Sequence, residues 1–244
     1  MTITTDRATV PTTATTKRRP WWRHPWTAVA VIVVAFILFA LFPYVTFDPS
    51  RSRIPLRGDI PLYYPVLIFH IFTATVAVIC ACLRISPWFK RRYPSAFRVS
   101  EAIYVFAGVI PSGISALAIG AVSSFGPITR TSHILVATLW LVCTIKGYRL
   151  GRRGEVDEQQ RWMWRSYVLT AAAITNRMWA IMFLLVFTPQ LDSLFGGNEK
   201  VMLQTISSMA AFLSWTVPLI ILQWWLDNRD AAARRQHLAG LNGS

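Results

Sequence analysis

Residues 102–129 carry no charged side chain, a stretch longer than the roughly 20 apolar residues that a helix needs to cross a bilayer core about 30 Å thick. Its apolar residues fill the whole window instead of forming one stripe. In lipid the backbone polar groups of such a segment must be satisfied internally, which selects a membrane-spanning helix.

Once that stretch is recognised, five companions follow at residues 27–47, 60–83, 131–145, 166–191 and 201–226, with the first stretch itself read as a span over 102–128. The run at 131–145 is short, and Lys146 and Arg149 can snorkel from its end. Hydrophobic residues make up 54% of the chain and charged ones 15%, with mean hydropathy +0.41, which sets it apart from soluble domains. The expected fold is all-α: a polytopic membrane helix bundle of about six transmembrane helices.

Charge tests that count independently, because cytoplasmic connections of membrane proteins are enriched in Lys and Arg. Lys17, Arg18, Arg19 and Arg23 precede the first run, and Arg84, Lys90, Arg91, Arg92 and Arg98 lie between the second and third. Lys146, Arg149, Arg152, Arg153, Arg161 and Arg165 lie between the fourth and fifth, and Arg229, Arg234 and Arg235 follow the sixth. The alternate connections hold only Arg51, Arg53 and Arg57, then Arg130, then Lys200. The bias places both termini in the cytoplasm and the bundle in the cytoplasmic (inner) membrane. With a net charge of +14, anionic headgroups are the expected partners. No basic soluble domain is present, which excludes a nucleic-acid reading. Residues 1–25 read as a disordered basic tail, 26–227 as the six-span domain and 228–244 as a short cytoplasmic tail. The basic front end is like a signal sequence, yet no small-residue cleavage pattern follows the first run, which reads as uncleaved.

Of 11 tryptophans, Trp21, Trp22, Trp26, Trp88, Trp162, Trp164, Trp224 and Trp225 sit at span edges, where belt anchoring accounts for them. Trp140, Trp179 and Trp215 lie inside spans, as packing or as a ligand lining. Cys80 and Cys82 point to nearly opposite faces of one helix and Cys143 is on another, so no metal site is expected.

Two buried polar residues carry most of the functional information. Counted from Ser166, Arg177 falls about 16 Å into its span, and His70 about 12–15 Å from the start of its own, so the two can share a level. An arginine near mid-bilayer is expected to face the bundle interior with a partner. No Asp or Glu lies in the six runs. The candidates are His70, Asn176, Gln204, Gln223, hydroxyls, carbonyls freed near Pro111 or Pro218, or a bound anion such as a lipid phosphate or haem propionate. For haem, the available ligands are His70 and His133. His133 lies only two residues into its run, a depth mismatch of about 10 Å that works against a bis-histidine site.

Arg161-Trp162-Met163, Arg165-Ser166-Tyr167 through Thr170 to Arg177, His70, Arg98, Tyr104 and Leu139-Trp140 together resemble the bacterial predicted membrane proteins called domain of unknown function 2306, over residues 60–225. The resemblance implies a multi-helix inner-membrane protein of unsettled biochemistry. It also implies histidines where this chain has Phe97 and Gln160, and a Gly-Arg pair where it has Glu101-Ala102. Loss of those histidines weakens a redox reading, and Glu101 stands at the cytoplasmic mouth, within pairing distance of Arg98 at i−3.

The leading functional expectation is an enzyme or binder acting on a hydrophobic, prenyl-type substrate, such as a protonation-initiated membrane terpene cyclase or isomerase. Glu101 and His70 are the proton-handling candidates. Arg177, Arg98, Arg161 and Arg165 would hold a polar head, with Tyr104, Trp140, Trp179 and Trp215 lining the cavity. No cofactor is expected on that reading. The alternatives are a b-type haem electron-transfer subunit, and a noncatalytic transport or scaffold protein.

Overall fold

The computed structural model describes residues 25–54, 56 and 59–242. Helices α1 (Pro25–Leu41), α2 (Tyr63–Ile85), α3 (Pro87–Arg92) and α4 (Pro94–Ala102) lead into a π-helical segment, Ile103–Val109. Then come α5 (Ile110–Ala121), α6 (Pro127–Arg152), α7 (Val156–Phe187), α8 (Leu191–Phe195) and α9 (Glu199–Asn242), with no strand among the described residues. Six helical stretches are long and apolar enough to span a membrane. The chain is therefore an all-helical, multi-pass membrane bundle in contact with lipid.

Boundaries differ from those expected wherever the end of a helix is charged or marked by proline. The third span begins at Pro94, so Arg98 and Glu101 lie inside it. Helix α6 begins at Pro127, four residues before the expected start, because Gly126 at φ 96° turns the chain and proline is pre-organised for a first helical position. Helix α7 begins at Val156 with Asp157 and Glu158 in its first turn, where acidic side chains complement the helix dipole. Helix α9 continues to Asn242 through the segment read as a tail. Apart from Pro25, the expected N-terminal tail lies outside the described residues. In the α1–α2 connection Asp48 caps the turn Pro49–Arg51; hydrogen bonds from the hydroxyl and amide of Ser50 hold its carboxyl below the usual range.

Helices α6, α7 and α9 form one packed set, and α5 with the π-helical segment joins it to α2, while α1 packs on α2 at the edge. The π-helical segment and α2 meet backbone to backbone at Gly108, where a Cβ would stand 2.9 Å from the Cα of Ala77. Small residues let membrane helices pack backbone to backbone in this way. Pro218 lies inside α9 and has no N–H to give the carbonyl of Ser214 four residues earlier. The Thr175 hydroxyl of α7 donates to that carbonyl at 2.6 Å instead.

Candidate functional site

The ends of α2 and α6, the short α3 and the starts of α4 and α7 gather most of the described arginines and lysines and form the basic end of the bundle. Here Arg84 is the organising group. Its guanidinium contacts the Glu101 carboxylate at 2.8 Å and donates to the Tyr167 hydroxyl at 2.7 Å and the Phe97 carbonyl at 2.9 Å. It also lies 4.5 Å over the Phe97 ring. Glu101 accepts a second hydrogen bond at 2.5 Å from Gln159. Its partner is thus Arg84 from another helix and not Arg98 from its own. Reading the sequence for spacing misses Arg84, because it looks like one more interfacial cation at the end of a span.

One layer deeper, hydroxyls from three helices meet. Tyr104, on the π-helical segment, bonds Ser166 at 2.6 Å and Thr170 at 2.8 Å. Thr144 bonds Ser166 at 2.5 Å, and the Trp140 indole donates to Thr170 at 3.0 Å. Tyr104, Thr144 and Ser166 are fully buried. Ser166 and Thr170 share one face of α7 by their i,i+4 spacing. The network leaves Tyr104 and Trp140 in mutual contact but with their polar atoms committed to packing.

Neighbouring helices serve as rulers for depth. Along α9, Ser208 meets Thr129 at 3.1 Å and Ser214 meets Thr175, a separation of about 9 Å. Arg177 therefore lies only about 6 Å deeper than Thr129, near the ends of α5 and α6, and His133 lies level with it. Arg177 is exposed, and its one hydrogen bond among the described residues goes to Asn176 at 3.2 Å. It does not face the bundle interior. Arg177 lies near the middle of the apolar run of α7, but α5 and α6 end close to its level, so those helices leave it uncovered.

His70 is deeper. Its Nδ1 lies 2.9 Å from the Ser112 carbonyl, with the Ser112 and Ser115 hydroxyls at 3.2 and 3.4 Å. A carbonyl only accepts, so Nδ1 carries the proton and Nε2 keeps its lone pair. His133 packs against Gly120, whose Cβ would meet that of His133 at 3.0 Å. On α5 the two histidines are thus separated by about 8–12 Å along the axis.

The other candidates are dispersed. Arg161 pairs with Asp230 and Glu158, and Arg165 bonds Gln223 and lies over Trp162. Trp179 stacks on Phe183 in a separate cluster between α7 and α9, and Trp215 donates to Ser132 at 3.0 Å. Glu101 and Arg98 share a cleft at the basic end. His70 is at neither that cleft nor the level of Arg177.

A lateral groove of about 580 Å³ lies between the start of α6 and α9, walled by Phe125, Ile128, Met209, Phe212 and Leu213. Gln204, Thr205 and Ser208 supply its polar groups. The Gln204 amide has no hydrogen bond among the described residues. Gln204, a candidate partner for Arg177 by sequence, makes no hydrogen bond with it among the described residues and faces this groove. No group of three or more His, Cys, Asp or Glu residues able to hold a metal occurs among the described residues.

Fold and site together define a multi-pass integral membrane protein with polar groups layered through its interior. The family model described as Predicted membrane protein (DUF2306) matches residues 67–226, more than half of the chain, and the protein belongs to that family. No curated protein and no solved structure matches the chain. At the two positions where the family resemblance implies histidine, Phe97 holds Arg84 and Gln160 is exposed.

Proposed function

We propose that this protein binds a hydrophobic molecule with a small polar head, of prenyl type, in the lateral groove between α6 and α9. The observation that carries the proposal is the free Gln204 amide in a groove with apolar walls. Gln204 stands one turn further out along α9 than Ser208, beside the α5–α6 turn, so a ligand whose tail lies along the apolar walls brings its polar head to this amide. The groove's volume lies in the range of small-molecule sites, about 300–1,000 Å³. Glu101 sits at the basic end, held by Arg84 and Gln159, so no carboxylate proton donor stands at the groove. Binding or transport is therefore favoured over cyclisation or isomerisation. The experiment is to extract and identify the lipids that co-purify with wild type and with Gln204→Leu. Enrichment of a prenyl lipid in wild type and about tenfold less in the variant supports the reading. Equal recovery from both sinks it.

A second reading rests on His70. Metal-ligating histidines usually donate the other ring N–H to a carbonyl or carboxylate, which is what His70 does toward Ser112. His133, displaced along α5, does not fit as the opposite axial ligand of one haem, so a bis-histidine site is not supported. A Soret band lost on His70→Ala would favour a haem held by His70; a colourless protein expressed with haem available removes it. The charge bias further supports a cytoplasmic basic end in the inner membrane. Labelling of single cysteines at Trp88 and Leu194 from each side of the membrane tests that orientation.

A further inference from the structure

We propose that the basic end carries a second site, independent of the groove, that holds the phosphate of an anionic phospholipid. A cleft of about 250 Å³ is lined by Arg98, Glu101, Tyr148, Arg152 and Gln159. Arg98 and Arg152 have no ion pair or hydrogen bond among the described residues. The one carboxylate present cannot neutralise them, because one Glu101 oxygen is held by Arg84 at 2.8 Å and the other by Gln159 at 2.5 Å. Gln159 is itself seated against Gly151, where any Cβ would collide with its amide. The cleft therefore presents two uncompensated guanidiniums over a rigid floor. Guanidinium is the side-chain group best matched to phosphate oxygens, because its planar fork donates two parallel hydrogen bonds.

The cleft's surroundings select a lipid over free phosphate. Val99, Ile103 and Phe106 are exposed on the same span, and the Phe106 ring meets that of Tyr148, a cleft residue, edge-on at 5.1 Å. Cationic cleft and apolar wall are continuous, so a phosphodiester sits between Arg98 and Arg152 while its acyl chains lie along the wall. Soluble phosphate uses only the first half of that surface.

The test uses the full-length chain, supplied in detergent with equal amounts of phosphatidylglycerol and phosphatidylcholine, with retained lipid counted by native mass spectrometry. Preferential retention of phosphatidylglycerol is expected, reduced about thirtyfold in Arg98→Gln/Arg152→Gln, at roughly a factor of five per arginine. Ala102→Trp fills the cleft without removing either charge and is expected to give the same loss, which separates a site from bulk attraction and decides the matter if the double variant fails to fold. Undiminished phosphatidylglycerol in the folded variants overturns the proposal. So does equal retention of the two lipids with displacement by inorganic phosphate, which assigns the cleft to the free anion.

Discussion

The two ends of this bundle treat polar groups in opposite ways. At the basic end and in the layer beneath it, Arg84, Glu101, Tyr104, Thr144, Ser166, Tyr167 and Thr170 exchange hydrogen bonds across four helices. At the opposite end Arg177 bonds only its neighbour Asn176 among the described residues, and Gln204 lines an open groove. A saturated network in a low-dielectric interior rigidifies the helices that share it. Groups left open cost stability and keep their capacity for a ligand. The comparison assigns holding the fold to the Arg84–Tyr104 network, and binding to the groups left open: Gln204 at the opposite end and Arg98 and Arg152 at the rim of the basic end.

Substitutions can break that division, beginning where the effect is greatest. Arg84→Met strands the Glu101 carboxylate, whose side chain is only 18% exposed, and is expected to destabilise by about 3–5 kcal/mol; adding Glu101→Leu should recover much of this. Reversible unfolding in mixed micelles measures both, and a double variant no better than the single one would contradict the pairing. Gly108→Ala forces a methyl against the Ala77 backbone and is expected to cost about 1–3 kcal/mol in the same assay. Tyr104→Phe removes one hydroxyl from the network, with a loss of about 0.6–1.7 kcal/mol, the range for hydrogen bonds between membrane helices. The smallest effect belongs to the opposite end: Arg177→Leu should change stability by less than about 0.5 kcal/mol. A collapse of folded yield there would mean that Arg177 supports the fold after all, and the contrast between the ends would be lost.

The spans were readable because their apolar runs exceed what a soluble helix tolerates, and the basic connections gave a second, independent count. Depth was less readable. Spacing along α7 locates Arg177 on its own helix but not against its neighbours, which α7 outruns, and only cross-helix contacts such as Thr175 with Ser214 reveal that. The start of α6 carried a signal in Gly126-Pro127 that was passed over because the apolar run begins later. The Arg84–Glu101 pair left no local trace, since its members are joined only when α2 and α4 fold side by side. The Tyr104 network was half visible: Tyr104 and Trp140 stood out as aromatics, while Thr144 and Ser166 are small residues that gain meaning only from the partners they meet.

The π-helical turn Ile103–Val109, where the Ile110 amide reaches back to the Val105 carbonyl, has a consequence for how this span tolerates change. In an unbroken α-helix, residues eleven apart come nearly into phase, and Glu101 and Ser112 would look the same way. A π turn winds in an extra residue, worth about 100° of rotation, so the two halves of one span are set at different bearings. Deleting any one residue of that turn would swing Arg98 and Glu101 about a quarter turn away from Arg84 and Gln159 while leaving the Ser112–His70 contact where it is. Hydropathy would still count six spans, and the change would show only where angular register matters, in the Arg84–Glu101 pairing and the cleft beside it.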